Sequence, residues 1–151
     1  MTIDTDNLVD DFISNLKEIF ENNMKSLGLN EVFTDDIILI PITPSLAISC
    51  LGFFPQRLTM GKRARFEYSF IGELWYYHEE VSTDLHRSVV MRNAYKISDF
   101  ILKNATLNGW LSVKPALVRS CTYSPRLRSG VLMASAKITI LAPYHTIVES
   151  S

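Results

Sequence analysis

Apolar positions recur along this chain with two periods, one near 3.6 and one of 2, and the switches between them mark its elements. From residue 6 to 27, Leu8, Val9, Phe12, Ile13, Leu16, Ile19, Phe20, Met24 and Leu27 share one side of a helical wheel, with acids on the other. Asp4, Thr5 or Asp6 suits the N-cap, and Gly28 stands where a left-handed C′ residue belongs. Ile37–Ile42 has strand composition, but Pro41 and Pro44 remove ladder donors, so segment 30–44 predicts an edge strand or an extended arm. Ser45–Leu51 reads as a central strand, followed by a turn-rich stretch, Gly52–Lys62.

The period of 2 is longest in Arg63–His78. Ala64, Phe66, Tyr68, Phe70, Leu74 and Tyr76 point one way, and Arg63, Arg65, Glu67, Ser69 and Glu73 the other. Gly72 predicts a bulge or a break within that strand. Trp75 and Tyr77 fall on the polar side, where aromatic rings need a cover. Glu79–Ser82 then turns the chain into the organising helix, Thr83–Asn108. Val89, Val90, Ala94, Ile97, Phe100, Ile101 and Ala105 make its broad apolar face, opposite Arg92, Lys96, Asp99 and Lys103. Met91, Tyr95 and Leu102 form a second, narrower stripe that calls for an intrachain helix or a neighbouring subunit.

A hairpin closes the pattern: Ala116–Tyr123, a loop Ser124–Gly130 and Val131–Ala142, stopped by Pro143. The tail, Tyr144–Ser151, is expected to lie free or to reach a partner. The order α-(β)-β-β-α-β-β predicts a two-layer α+β domain, a mostly antiparallel sheet packed against two helices. One domain is expected, with its core at about 6–142 and a short tail at 143–151.

Composition narrows the class. At 151 residues, 47% hydrophobic and 21% charged, the chain is globular rather than disordered, and its longest apolar runs are far too short to span a bilayer. Four aspartates within residues 1–11 argue against a secretory signal. Two cysteines in strand-like runs, Cys50 and Cys121, read as buried free thiols of a reducing compartment. The net charge of −1 hides segregation. Residues 1–36 hold nine acids against Lys17 and Lys25, whereas two segments carry only basic charges. These are Arg57, Lys62, Arg63 and Arg65, then Lys114, Arg119, Arg126, Arg128 and Lys137. Such a chain suits either solvated hairpins or a subunit whose acidic end meets a neighbour's basic end.

Candidate chemistry is sparse. His78, Glu79, Glu80, Asp84 and His86 form the nearest approach to a metal cluster, but their spacing matches no ligand motif and reads as a solvated strand-to-helix turn. Neither cysteine lies in a nucleophile motif, and no phosphate-cradling glycine loop is present. The expectation is a non-enzyme with no catalytic residue, metal or cofactor. The interleaved Arg63-Ala-Arg-Phe-Glu-Tyr places its aromatics on a core face, so only non-specific contact with nucleic acid stays open.

Three stretches carry a family resemblance: Ile71-Gly-Glu-Leu-Trp-Tyr-Tyr, Ser88-Val-Val-Met-Arg-Asn-Ala-Tyr-Lys-Ile-Ser-Asp-Phe-Ile, and Asn108-Gly-Trp-Leu. With the closing strand Ala134-Ser-Ala-Lys-Ile-Thr-Ile and the order of elements, the chain resembles the tail terminator and tail-completion (neck) proteins of tailed phages. The resemblance implies a structural virion protein of the tail or neck, assembled in the host cytoplasm. It implies a homo-oligomeric ring, a hexamer, that caps the tail tube and joins it to the head. Its partners would be other copies of itself, the tail tube protein and a neck or head-closure protein. Genomic DNA would pass through the lumen without specific binding, and no membrane would be involved. A neck or head-completion protein is the alternative within that class, and a small ligand-binding or enzymatic α+β domain the alternative outside it. Interface candidates are the first basic cluster, Trp75 and Tyr77, the Met91/Tyr95/Leu102 stripe, and the loop residues Arg126, Leu127 and Arg128. In that loop a leucine between two arginines suggests a docking tip.

Overall fold

The computed structural model describes residues 8–35, 40, 42–81 and 86–149. Among them the chain is α+β, with three helices and a mixed sheet of six strands. The helices are α1 (Leu8–Glu21), α2 (Met24–Leu27) and α3 (Arg87–Lys103). The strands are β1 (Glu31–Phe33), β2 (Ser45–Arg57), β3 (Arg63–Glu80), β4 (Leu117–Tyr123), β5 (Arg126–Arg128) and β6 (Val131–Glu149). They lie in the order β1-β2-β3-β6-β4, and β5 also pairs with β6. Only β1 with β2 is parallel.

The sequence periods explain which face is covered. Phe12, Leu16, Ile19 and Phe20 of α1 and Val90, Ala94, Ile97 and Ile101 of α3 bury their stripes in one core cluster. Phe70, Leu74 and Tyr76 of β3 meet them there, beside Ala136, Ile138 and Ile140 of β6. Gly72 sits at the closest approach. A Cβ on it would lie 2.8 Å from both Phe12 Cζ and Ile140 Cγ1, so the absent side chain is the seat of the Phe12 ring. β3 runs unbroken through Gly72, and the bulge falls instead on its neighbour β2, between Cys50 and Gly52.

Several boundaries differ from the sequence pattern, each for a local reason. The first helix breaks at Asn22–Asn23, where the Asn23 side-chain amide donates to Ile19 O at 2.8 Å and competes with the helical ladder. Gly28 does take the left-handed cap conformation, at φ 71°, but it ends α2. The proposed N-cap residues lie outside the described residues, as does most of Ile37–Ile42. Ile40 and Ile42 belong to no strand, and the strand of that region is β1.

α3 ends at Lys103, earlier than Asn108. Leu107, Asn108 and Gly109 then adopt successive left-handed conformations, with φ of 50°, 64° and 79°, and reverse the chain. A left-handed leucine costs roughly 1–2 kcal/mol, and full burial of its side chain in the core offsets this. Residues 82–85, the expected first turn of that helix, lie outside the described residues.

Proline proved a weaker stop than its chemistry suggests. β2 continues through Pro55 to Arg57 because β1 pairs only with Ser45–Ala47, leaving the outer edge of β2 open. β6 likewise passes through Pro143 to Glu149, beyond Leu141 where β4 pairing begins, so Tyr144–Glu149 is strand rather than free tail. The expected loop Ser124–Gly130 contains β5, and Ser129 and Gly130, at φ 52° and 80°, form the two-residue turn into β6. Cys50 and Cys121 are free and half-buried rather than fully buried, and burial pushes both thiols up.

Gly72→Ala tests the seat beneath α1. The added methyl is expected to destabilise the fold by about 1–3 kcal/mol in urea unfolding, with Phe12→Leu in the same chain recovering part of the loss. Equal stability of Gly72→Ala and the parent chain would refute the close approach.

Candidate functional site: an uncovered hairpin arm

The length of the central ladder leaves one end of it exposed. β3 has 18 residues, about 60 Å of strand at its usual rise, whereas the 14-residue α1 covers only about 21 Å. One end of the ladder therefore overhangs the helices. This arm comprises Phe53–Arg57 of β2, the turn Leu58–Lys62, the first residues of β3 and the C-terminal part of β6. Its tip is closed by Leu58 N–H donating to Arg65 O and by Arg65 N–H donating to Thr59 Oγ1, both at 2.8 Å.

An aromatic ladder stiffens the arm's base. Phe53 packs on Tyr68 and Phe70, and Trp110 stacks on Tyr144 with centroids 4.4 Å apart. Neighbouring strand residues point to opposite faces, yet Phe53 and Phe54 are each 49% exposed, so the β2 side of the arm keeps an exposed aromatic ring on both faces. Leu58 and Met60 extend the apolar surface to the tip, Met60 at 85% exposure. Arg57, Lys62 and Arg65 surround it and are exposed; the Arg57 guanidinium lies 4.8 Å over the Phe66 ring. Arg63 is exposed as well but pairs with Glu149 at 3.1 Å, within the arm itself. The outer side of α1 presents the opposite sign through Asp10, Asp11, Glu18 and Glu21.

The other interface candidates divide by burial. Trp75 and Tyr77 are buried within the chain, in a small cluster with Ala47 and Met133, and are not surface residues. Their cover is Arg126, whose guanidinium lies 4.0 Å over the Trp75 ring and donates to Tyr77 Oη at 3.2 Å. Arg126 is thus engaged inside the subunit, and Arg128 is half-buried with a bond to Leu127 O at 3.0 Å. Leu127 between them is exposed. On α3, Tyr95 and Leu102 are exposed and Met91 is half-buried, so the described chain covers that stripe only at Met91. The basic cluster, the α3 stripe and Leu127 occupy different elements rather than one patch.

Two further groupings come together in the fold: the first had no signal in the sequence, and the second lies within the His78–His86 cluster that the sequence marked and that reads there as a solvated turn. At the base of the arm, on the face away from the helices, Glu67 is buried and accepts from Lys114 Nζ at 2.7 Å and contacts His145 Nε2 at 2.9 Å. Lys114 holds the Glu67 carboxyl below its ordinary range, His145 adds to this, and burial opposes it. The second grouping is His78, Glu79 and His86, brought together from a strand end and a helix start. Glu80 is not part of it, and Asp84 lies outside the described residues. Alternation at period 2 marks Glu67 as outward, and nothing local signals that residues 114 and 145 will converge on it.

No protein-family model matches this chain, and no curated protein matches it. Among the described residues, no helix is long and apolar enough to cross a membrane.

The Glu67 ion pair makes stability depend on acid. Because the folded pKa lies below the unfolded value near 4.5, the contribution is complete above that value and is lost as pH falls through the folded pKa. Glu67→Gln should reduce stability at neutral pH by about 1–3 kcal/mol. Thermal melts across pH should show the gap between variant and parent closing on the acid side. A gap independent of pH would contradict the charge-based account.

Proposed function

We propose that this chain is a non-enzymatic, ring-forming subunit that terminates a phage tail tube and joins it to the neck or head. The observation that carries the reading is the arm: a rigid hairpin with apolar residues exposed on both faces and a basic margin, on a molecule whose α1 is acidic outside. A closed ring needs two unlike patches on each subunit that meet head to tail. The arm of one copy laid along α1 and the exposed α3 stripe of the next satisfies that requirement. Opposite charges would set the register and the apolar residues would supply the contact area.

In this reading the subunit is a two-layer body of order α-(β)-β-β-α-β-β, with α1 and α3 packed against a mostly antiparallel sheet. Its partners are further copies, six to a ring, the tail tube below and a neck protein above. Genomic DNA passes through the lumen without specific contacts. The protein acts in the virion after assembly in the host cytoplasm. Leu127, at the opposite end of the ladder from the arm, serves as the contact to the adjoining ring.

Replacing Phe54 and Met60 together by aspartate should leave the far-UV spectrum unchanged and abolish rings in light scattering. Central apolar anchors of an interface contribute about 2 kcal/mol or more each. Normal rings in that variant would reject the arm as the interface, and a parent chain monomeric even with tail tubes present would reject the ring itself. Leu127→Asp should assemble rings normally yet fail to join tails to heads; normal yields of infectious particles would show that this residue only completes a turn.

A further inference from the structure

We propose that His78, Glu79 and His86 form a binding site for a divalent transition-metal ion of the zinc class, held within one subunit and independent of ring assembly. One ligand atom from each residue lies within 4.8 Å of those from the other two. His86 Nε2 and Glu79 Oε1 are 3.1 Å apart, and the two imidazole centroids are 5.8 Å apart. A tetrahedral ion with bonds of about 2.0–2.2 Å separates its ligand atoms by roughly 3.3 Å, so small side-chain rotations bring the three donors to bonding distance.

The backbone is shaped for this convergence. On a regular strand His78 and Glu79 would point to opposite faces. Here β3 slips register against β6 between Tyr77 and Glu79, making His78 the extra residue of a bulge. The bulge allows two consecutive side chains to approach one point. His86 precedes α3 in a left-handed conformation at φ 51°, which is uncommon for a residue other than glycine. This turn directs its ring back toward the strand end.

A supporting shell also stands behind His78. Its Nδ1 lies 2.9 Å from the Tyr76 hydroxyl, which in turn accepts from Asn93 Nδ2 at 2.9 Å. Tyr76 is buried and Asn93 belongs to α3, so the ring is oriented by fixed groups. With Nδ1–H donated to the phenol oxygen, Nε2 carries the lone pair for a metal. This is the arrangement that metal-binding histidines ordinarily show. Two imidazoles and one carboxylate suit zinc and its neighbours rather than calcium or magnesium, which prefer all-oxygen sites. Glu79 is 49% and His86 23% exposed, giving an ion a path from solvent and leaving a fourth position for water. The bound ion would tie the end of β3 to the start of α3.

The test uses tag-free protein freed of metal by a chelator, titrated with zinc chloride in a calorimeter and with cobalt(II) under visible absorption. The expected result is one equivalent per chain, a tetrahedral cobalt spectrum, and a melting temperature that rises with zinc concentration. His78→Ala and His86→Ala should each weaken binding at least about tenfold, and Tyr76→Phe by about tenfold with stoichiometry retained. His145→Ala, at the other end of the β3–β6 ladder, should bind as the parent does. Absence of saturable uptake by the folded parent chain overturns the proposal whatever the variants do. Unchanged affinity in both histidine variants overturns it equally.

Discussion

The antiparallel ladder between β3 and β6 is the constraint on which the rest of this structure depends. It pairs residues from Arg63↔Glu149 to Glu80↔Met133, and β2, β4 and β5 are hydrogen-bonded directly to it. The register puts Phe70, Leu74, Tyr76, Ile138 and Ile140 on one face. A slip of one residue would exchange them for Arg65, Glu67 and Glu73. The Gly72↔Ile140 position shows how tight this specification is, because the Phe12 ring enters the space that any Cβ at 72 would fill.

Because the ladder is far longer than either helix, its two ends meet different environments. One end overhangs as the arm, where apolar side chains remain exposed and a buried Glu67 with Lys114 and His145 braces the base. The other end is covered on its second face by Trp75, Tyr77 and Met133 beneath Arg126. Covering removes Trp75 and Tyr77 from that end's surface while Leu127 stays exposed, and overhang leaves the first end with a surface that favours association. The division of labour follows from geometry, since the same strands run through both ends.

The His78–Glu79–His86 grouping depends on the ladder in a different way. It forms where the β3–β6 register fails, at the bulge that precedes the turn into α3. Regular pairing would have sent His78 and Glu79 apart. Irregular backbone, rather than ligand spacing along the chain, is what gathers these donors, and bulges commonly re-aim side chains in this way.

The sequence by itself determined the identity of the helices and main strands and the α+β class, because these follow from local periods of apolar residues that each segment carries alone. It also determined the core faces of α1, α3, β3 and β6, and marked Met91, Tyr95 and Leu102 as a second stripe in need of a cover, from an intrachain helix or a neighbouring subunit. Only the tertiary structure decided where strands end, since Pro55 and Pro143 stop a strand only when a neighbour needs the missing N–H, and here the relevant edges are open. It also decided that Trp75 and Tyr77 are buried while Phe53 and Phe54 are exposed. Burial depends on what crosses over a side chain; Arg126, 51 residues beyond Trp75, supplies the cover in one place, and the described residues leave Phe53 and Phe54 about half exposed in the other. The convergences at Glu67 and at His78 were decided at the same level. They bring together residues whose separation along the chain carries no period, and only pairing, bulging and helix placement in three dimensions make them neighbours.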